Sequence, residues 1–185
     1  MRKLIYVINS SIDGCLDHTI GAPDEELFDF YINLVRNAGT FVYGRITYEL
    51  MVPYWPDIAK NPAGNSKADV EFAEAFDDVE KVVFSKSLEK AEGRNSRIVR
   101  TNAEDEIRKL KQEEGKNIYV GGVAFPSYVI GLGLVDEYIF TTIPVIAGKG
   151  RRLMEGIDLQ EKLGLKLVDT KVSKSGSVIL HYVKA

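Results

Sequence analysis

The 185-residue chain contains a single cysteine, Cys15. One cysteine permits no intramolecular disulfide and leaves no cysteine-based zinc site. The two histidines, His18 and His181, are far apart and lack a spacing such as H-E-x-x-H, so no metal site is expected. No apolar run reaches the ~18 residues of a membrane-spanning helix. The stretch after Met1-Arg2-Lys3 is cut short by Asn9-Ser10-Ser11, so no secretory leader is expected either. These absences predict a cytoplasmic protein without a membrane partner. An excess of positive charge is also missing: 24 basic against 27 acidic residues give a net charge of −3, which argues against nucleic acid as a partner. Three signatures are absent as well. Without G-x-G-x-x-G the standard doubly wound dinucleotide fold is not expected. Without G-x-x-x-x-G-K-[ST] a nucleoside triphosphatase is not expected. Without H-x-E and P-C-x-x-C there is no zinc deaminase.

What remains is an ordinary globular composition, 45% hydrophobic and 28% charged, of a length that suggests one domain over residues 1–185. Leu4 to Ile8 reads as a buried strand, followed by a long polar loop from Asn9 to Pro23. A helix is predicted from Asp24 to about Asn37, with Leu27, Tyr31, Leu34, Val35 and Ala38 on one face and Gly39 as its stop. Thr40 to Tyr43, Lys81 to Phe84, Arg97 to Arg100 and Ile118 to Val120 read as strands. Helices follow Gly44 and Gly122 and cover Lys67 to Phe76 and Ala103 to Glu113. Pro53 to Ser66, with three prolines, reads as an irregular loop. After Gly133 the pattern becomes β-rich: Asp136 to Ile146, Leu163 to Val172 and Ser177 to Val183, the last two joined by a Ser-Gly turn. The βαβ units followed by antiparallel β predict a three-layer α/β fold. Its mixed, mostly parallel central sheet would be flanked by helices and end in an antiparallel C-terminal hairpin.

Two glycine-marked turns stand out, each closing an apolar strand and opening a helix. The first is Gly44-Arg45-Ile46-Thr47, the second Gly121-Gly122-Val123-Ala124. Such turns bare backbone N–H groups at the positive end of a helix dipole, and two of them can hold a pyrophosphate. Arg45 can pair bidentately with a phosphate, and Thr47 adds a hydroxyl. Ser85-Lys86-Ser87 closes another strand and offers two hydroxyls and a cation for a further phosphate, such as one on an adenosine ribose. Each feature taken alone also fits an ordinary surface turn. Together they fit better, because ligands of open α/β sheets gather at the carboxyl ends of the strands.

In order along the chain, these motifs resemble the dihydrofolate reductase-like superfamily, and most closely the reductase domain of riboflavin biosynthesis. The resemblance rests on Ser11-Ile12-Asp13-Gly14, Gly44-Arg45-Ile46-Thr47-Tyr48-Glu49, Val83-Phe84-Ser85-Lys86-Ser87-Leu88, Gly121-Gly122, Gly133-Leu134-Val135-Asp136-Glu137-Tyr138 and Pro144-Val145-Ile146-Ala147-Gly148-Lys149-Gly150. It implies an NADPH-dependent reductase of a small heterocycle, of the type that acts on 5-amino-6-(5-phosphoribosylamino)uracil, and it implies a homodimer. It also implies that Gly44, Arg45, Thr47, Ser85, Lys86, Gly121, Gly122 and Gly148 contact the cofactor. A dihydrofolate or pterin reductase and a non-catalytic nucleotide-binding protein are the alternatives on the same scaffold.

Folate-reducing members of that superfamily carry a carboxylate on the helix after the first loop. Here Asp24 reads as that helix's N-cap, Glu25 and Glu26 as first-turn surface acids, and Asp29 as solvated, opposite the apolar stripe. Asp13, beside Gly14 in the loop after the first strand, is the candidate catalytic acid, with an Asx turn as its alternative. Glu137 is either a pocket acid or a solvent-facing strand end. Tyr54 and Trp55 are either a wall for a flat ring or anchors of their loop.

Overall fold

The computed structural model of the chain describes every residue except Ala22, which lies within the loop expected between Asn9 and Pro23. The chain runs β1 (Leu4–Ser11), α1 (Glu25–Arg36), β2 (Ala38–Gly44), α2 (Arg45–Met51), α3 (Tyr54–Lys60), α4 (Lys67–Asp78), β3 (Glu80–Phe84) and β4 (Ser96–Val99). It continues with α5 (Ala103–Gln112), β5 (Asn117–Gly121), α6 (Ala124–Gly131), β6 (Glu137–Ile143), β7 (Leu165–Val172) and β8 (Val178–Lys184). The strands form one eight-stranded sheet in the order β4-β3-β2-β5-β1-β6-β8-β7. The first six in that order are parallel; β8 lies antiparallel to β6, and β7 antiparallel to β8. The predicted α/β architecture with its C-terminal hairpin is therefore the observed one.

Helices cover both faces of the parallel part, as its continuous apolar strands require. On one face Leu27, Ile32, Leu34 and Val35 of α1 and Phe72 and Phe76 of α4 pack on Ile5, Phe41, Tyr43 and Ile139. On the other, Ile107 and Leu110 of α5 and Val129 and Ile130 of α6 pack on Leu4, Tyr6, Val42, Val82 and Tyr138. Side-chain caps fix three helix starts. Asp24 Oδ1 accepts from Leu27 N, Ser66 and Asp69 form a reciprocal capping box, and Asn102 accepts from Glu104 N. No helix among the described residues is long and apolar enough to cross a membrane.

Three expectations are corrected. First, β1 runs on to Ser11, because Asn9, Ser10 and Ser11 pair with Thr141, Thr142 and Ile143; strand pairing overrides their polarity. Second, the proline-rich segment contains α3. Pro53 is its N-cap and Pro56 sits in its first turn, where an amide hydrogen has no intrahelical acceptor to lose. Third, β6 is parallel to β1 and ends at Ile143, before Pro144, so only β7 and β8 carry the antiparallel pattern.

Lys81 of β3 is fully buried and donates from Nζ to the carbonyls of Phe76 and Asp77, at 2.9 Å each, closing the C-terminus of α4. Burial, the largest influence, pushes its ammonium down to about 8. Between that value and the ordinary lysine range the unfolded chain binds the extra proton, so this group makes stability rise with pH over that window. The urea midpoint of the wild type should therefore climb relative to that of Lys81→Met between about pH 8 and 10. Parallel pH profiles for the two proteins would show that Lys81 is not the buried cation described.

Candidate functional site

Because β3, β2, β5 and β1 are parallel and in register, their carboxyl ends form one edge. Gly44 pairs with Phe84, and Val7 with Gly121. The two glycine turns touch there. Gly122 has φ +98°, and a Cβ on it would lie 2.1 Å from Thr47 Oγ1; a Cβ on Gly44 would lie 2.9 Å from Phe125 Cβ. Only glycine allows both the backbone conformation and the approach at position 122. Phe84, just before Ser85, stacks on Phe125 at 4.7 Å, which ties the third turn to the second. Tyr6 Oη donates to Gly122 O at 3.1 Å from the strand beneath. The structure thus brings Gly44, Arg45, Thr47, Ser85, Lys86, Gly121 and Gly122 to a single edge.

Neither α2 nor α6 has a side-chain cap, in contrast to α1, α4 and α5. Their first amide hydrogens are left for another acceptor. Arg45 is exposed and paired with Glu49 of its own helix at 2.8 Å. Such an i,i+4 pair is worth only ~0.3–0.5 kcal/mol, so a phosphate can displace the carboxylate. Ser85 Oγ accepts from Ser87 N and Leu88 N, which makes the turn rigid, and Lys86 is exposed at its tip.

Across β1 the edge is closed by two interlocked loops. Ile12 N donates to Val145 O and Leu16 N to Arg151 O, both at 2.9 Å. Gly150, at φ +126°, lies so close to Cys15 that a Cβ would sit 2.1 Å from Sγ, so Cys15 is a packing residue. Asp13 is the clasp. Its carboxylate accepts from Ser11 Oγ at 2.6 Å and from the amides of Ala147 and Gly148 at 2.9 Å each, with Arg152 Nη2 3.9 Å away. The Ser11 hydroxyl first, then the Ala147 and Gly148 N–H groups, hold its carboxyl down at about 2. With these donors on both oxygens, Asp13 fastens its own loop to residues 147 and 148. Gly148, beyond that clasp, is exposed at φ +73°.

The remaining acids are occupied elsewhere. Asp24, besides capping α1, accepts from Ser175 N, and Glu26 accepts from Lys174 N, which fastens the β7–β8 turn to the start of α1. Asp29 is exposed. Glu137 is buried, but it opens β6 opposite Ile5, two positions before Val7 and six before Ser11, toward the amino ends of the strands. There it pairs with Lys3 and, at 2.8 Å, with His181. The described residues hold no cluster of metal-ligating side chains.

A polar trio went unread in the sequence. Tyr31, placed there in the apolar stripe of α1, turns its hydroxyl onto Asn9 Oδ1 of β1 and stands 2.8 Å from Thr141 Oγ1 of β6. Burial pushes its phenol up to about 12. One turn earlier on α1, Phe28 packs 6.4 Å from Trp55, which also meets Phe72 at 4.4 Å. Trp55 therefore anchors its segment to the core, and Tyr54, 58% exposed, packs edge-on against it at 4.9 Å. The one available signal for the trio was Asn9 and Thr141 occupying inward strand positions that an apolar core would leave to aliphatics.

The family model for the RibD C-terminal domain matches residues 2–180, and the chain belongs to that family. It is 29% identical over 185 residues to the uncharacterized protein YyaP of Bacillus subtilis, covering 98% of this chain and 94% of that one. Among solved structures, a Shewanella sp. PV-4 protein provisionally named for riboflavin biosynthesis superimposes with a TM-score of 0.71 at 17% identity, covering 99% of both chains. The Thermotoga maritima diaminohydroxyphosphoribosylaminopyrimidine deaminase/5-amino-6-(5-phosphoribosylamino)uracil reductase gives a TM-score of 0.67 at 17% identity. It covers all of this chain and 57% of that one. These two likenesses establish the shared fold.

The role of Asp13 has a pH signature. A carboxyl held below its ordinary range stabilises the fold above that range and loses the contribution as pH falls through it. Between pH ~4 and ~2 the wild type should lose stability more steeply than Asp13→Asn, measured by urea unfolding. Equal slopes would remove Asp13 as the clasp.

Proposed function

We propose that the chain is an NADPH-dependent reductase of a small nitrogen heterocycle, of the class of 5-amino-6-(5-phosphoribosylamino)uracil. The observation that carries this reading is the contact of Gly122 with Thr47. It sets two uncapped helix starts side by side at the carboxyl edge of a parallel sheet. A pyrophosphate would suit such a place, since the amides of two adjacent helix starts supply donors. Arg45 and Lys86 would take the remaining phosphate charge, and the 2′-phosphate is the group that distinguishes NADPH from NADH. NADPH, when bound, would supply the hydride. The protein's part is to orient the two rings, and the clasped loops at Asp13 would keep water from the β1 edge. The pterin reading is disfavoured because α1 offers no free inward acid: Asp24 is a cap and Asp29 is exposed.

Calorimetric titration tests this. Lys86→Ala and Arg45→Ala should each weaken NADPH about five- to tenfold, as the loss of one charge-assisted phosphate contact would. NADH should lose less. Equal losses for the two cofactors would contradict the phosphate assignment, and NADPH binding without oxidation by any pyrimidine or pterin would favour a binding protein.

We further propose that two copies pair through the C-terminal hairpin. β7 is an edge strand, with Leu167 46%, Val168 49% and Val172 64% exposed. An exposed apolar edge of this kind invites pairing. Light scattering should give twice the chain mass for the wild type and the single mass for Val172→Glu. A monomeric wild type would overturn the pairing.

A further inference from the structure

The Tyr31 hydroxyl has one hydrogen and two neighbours, Asn9 Oδ1 and Thr141 Oγ1. The amide oxygen of Asn9 can only accept, so both contacts form together only when Thr141 gives its hydrogen to Tyr31 Oη and Tyr31 gives its own to Asn9. Thr141 is fully buried and has no other side-chain acceptor among the described residues, so this arrangement alone leaves no hydroxyl hydrogen unpaired. It fixes the Asn9 carboxamide with Oδ1 toward Tyr31. The two Nδ2 hydrogens then face away from the trio, and they have no protein partner among the described residues. Asn9 is half-buried and lies two positions beyond Val7, the β1 residue paired with Gly121. It therefore sits at the glycine edge on the α1 face of the sheet, the face that also carries Phe28 and Trp55.

We propose that Asn9 reads the substrate ring: held by Tyr31 and Thr141, it presents hydrogen-bond donors that match a ring carbonyl and mismatch a ring amino group. The inference rests on the reductase reading above and deepens it. An oxo-pyrimidine offers an acceptor–donor–acceptor edge, whereas a 2,4-diaminopyrimidine offers donor–acceptor–donor. A fixed amide N–H donates to a ring carbonyl, whereas an amino group at the same ring position sets donor against donor and leaves both unpaired. Asn9 is thus a specificity-determining residue, and Tyr31 and Thr141 are positioning residues that set its orientation.

The test uses the full chain loaded with NADP+, whose own binding is measured first by calorimetry. Two ring probes of equal shape, 6-aminouracil and 2,4,6-triaminopyrimidine, are then titrated at a pH where both are neutral, with Trp55 fluorescence as the readout. The wild type should prefer 6-aminouracil by about tenfold or more. Asn9→Asp, which presents an acceptor in place of the donor, should abolish or reverse that preference while NADP+ affinity and the melting temperature hold. Tyr31→Phe, which frees the amide to turn, should narrow the preference. A merely structural role for the trio would move stability but not ring selectivity. If NADP+ binds and Asn9→Asp keeps the wild-type preference, or if the wild type binds neither ring or favours the amino ring, the assignment of Asn9 falls and the reductase reading stands. If NADP+ does not bind, both fall.

Discussion

Gly122 sits at φ +98° against Thr47, in a space that a single added carbon would fill. That approach draws the start of α6 onto the start of α2, and the rest of the edge follows from it. Phe125 is brought over Gly44 and onto Phe84, so the turn at Ser85 is tied to the same place. The parallel register of β3, β2, β5 and β1 makes this possible, since only parallel strands deliver all their carboxyl ends to one side. A larger residue at 122 would have to adopt an unfavourable conformation and displace Thr47 together, and the two helix starts would part.

The other half of the site is organised by hydrogen bonding. Asp13 resembles a catalytic acid by position, yet each of its oxygens is engaged by donors from its own loop or from residues 147 and 148. Its charge closes one loop on another. Asp24 and Glu26 play the same part for the β7–β8 turn. Carboxylates here are fasteners, and the polar groups left at the edge are amides, hydroxyls and the cations Arg45 and Lys86. Under the reductase proposal, that distribution would leave the reduction to the cofactor's electrons more than to an acid of the protein.

Much of this was legible in the sequence, for identifiable reasons. The strand–glycine–helix turns at Gly44 and Gly121-Gly122 are local patterns, and the Asp24 cap and the apolar stripe of α1 are set by helical spacing alone. What was not legible depends on partners distant in the chain. β1 extends through Asn9 because β6, about 130 residues later, pairs with it. The Tyr31 hydroxyl finds Asn9 and Thr141 only once three elements have been packed, and a tyrosine in an apolar stripe gives no local sign of which end matters. Glu137 is inward as one reading allowed, but strand register puts it at the wrong end of the sheet. The helix within the proline-rich segment was hidden by a rule applied without position: proline breaks a helix in its interior and starts one at its first turn.

The most direct measurement is a crystal structure of the chain with NADPH. The account predicts the pyrophosphate against the amides at the starts of α2 and α6, alongside the Thr47–Gly122 contact, with the 2′-phosphate near Lys86 or Arg45 and the nicotinamide toward the end of β1. A cofactor bound on another surface, or no cofactor bound at millimolar concentration, would contradict it.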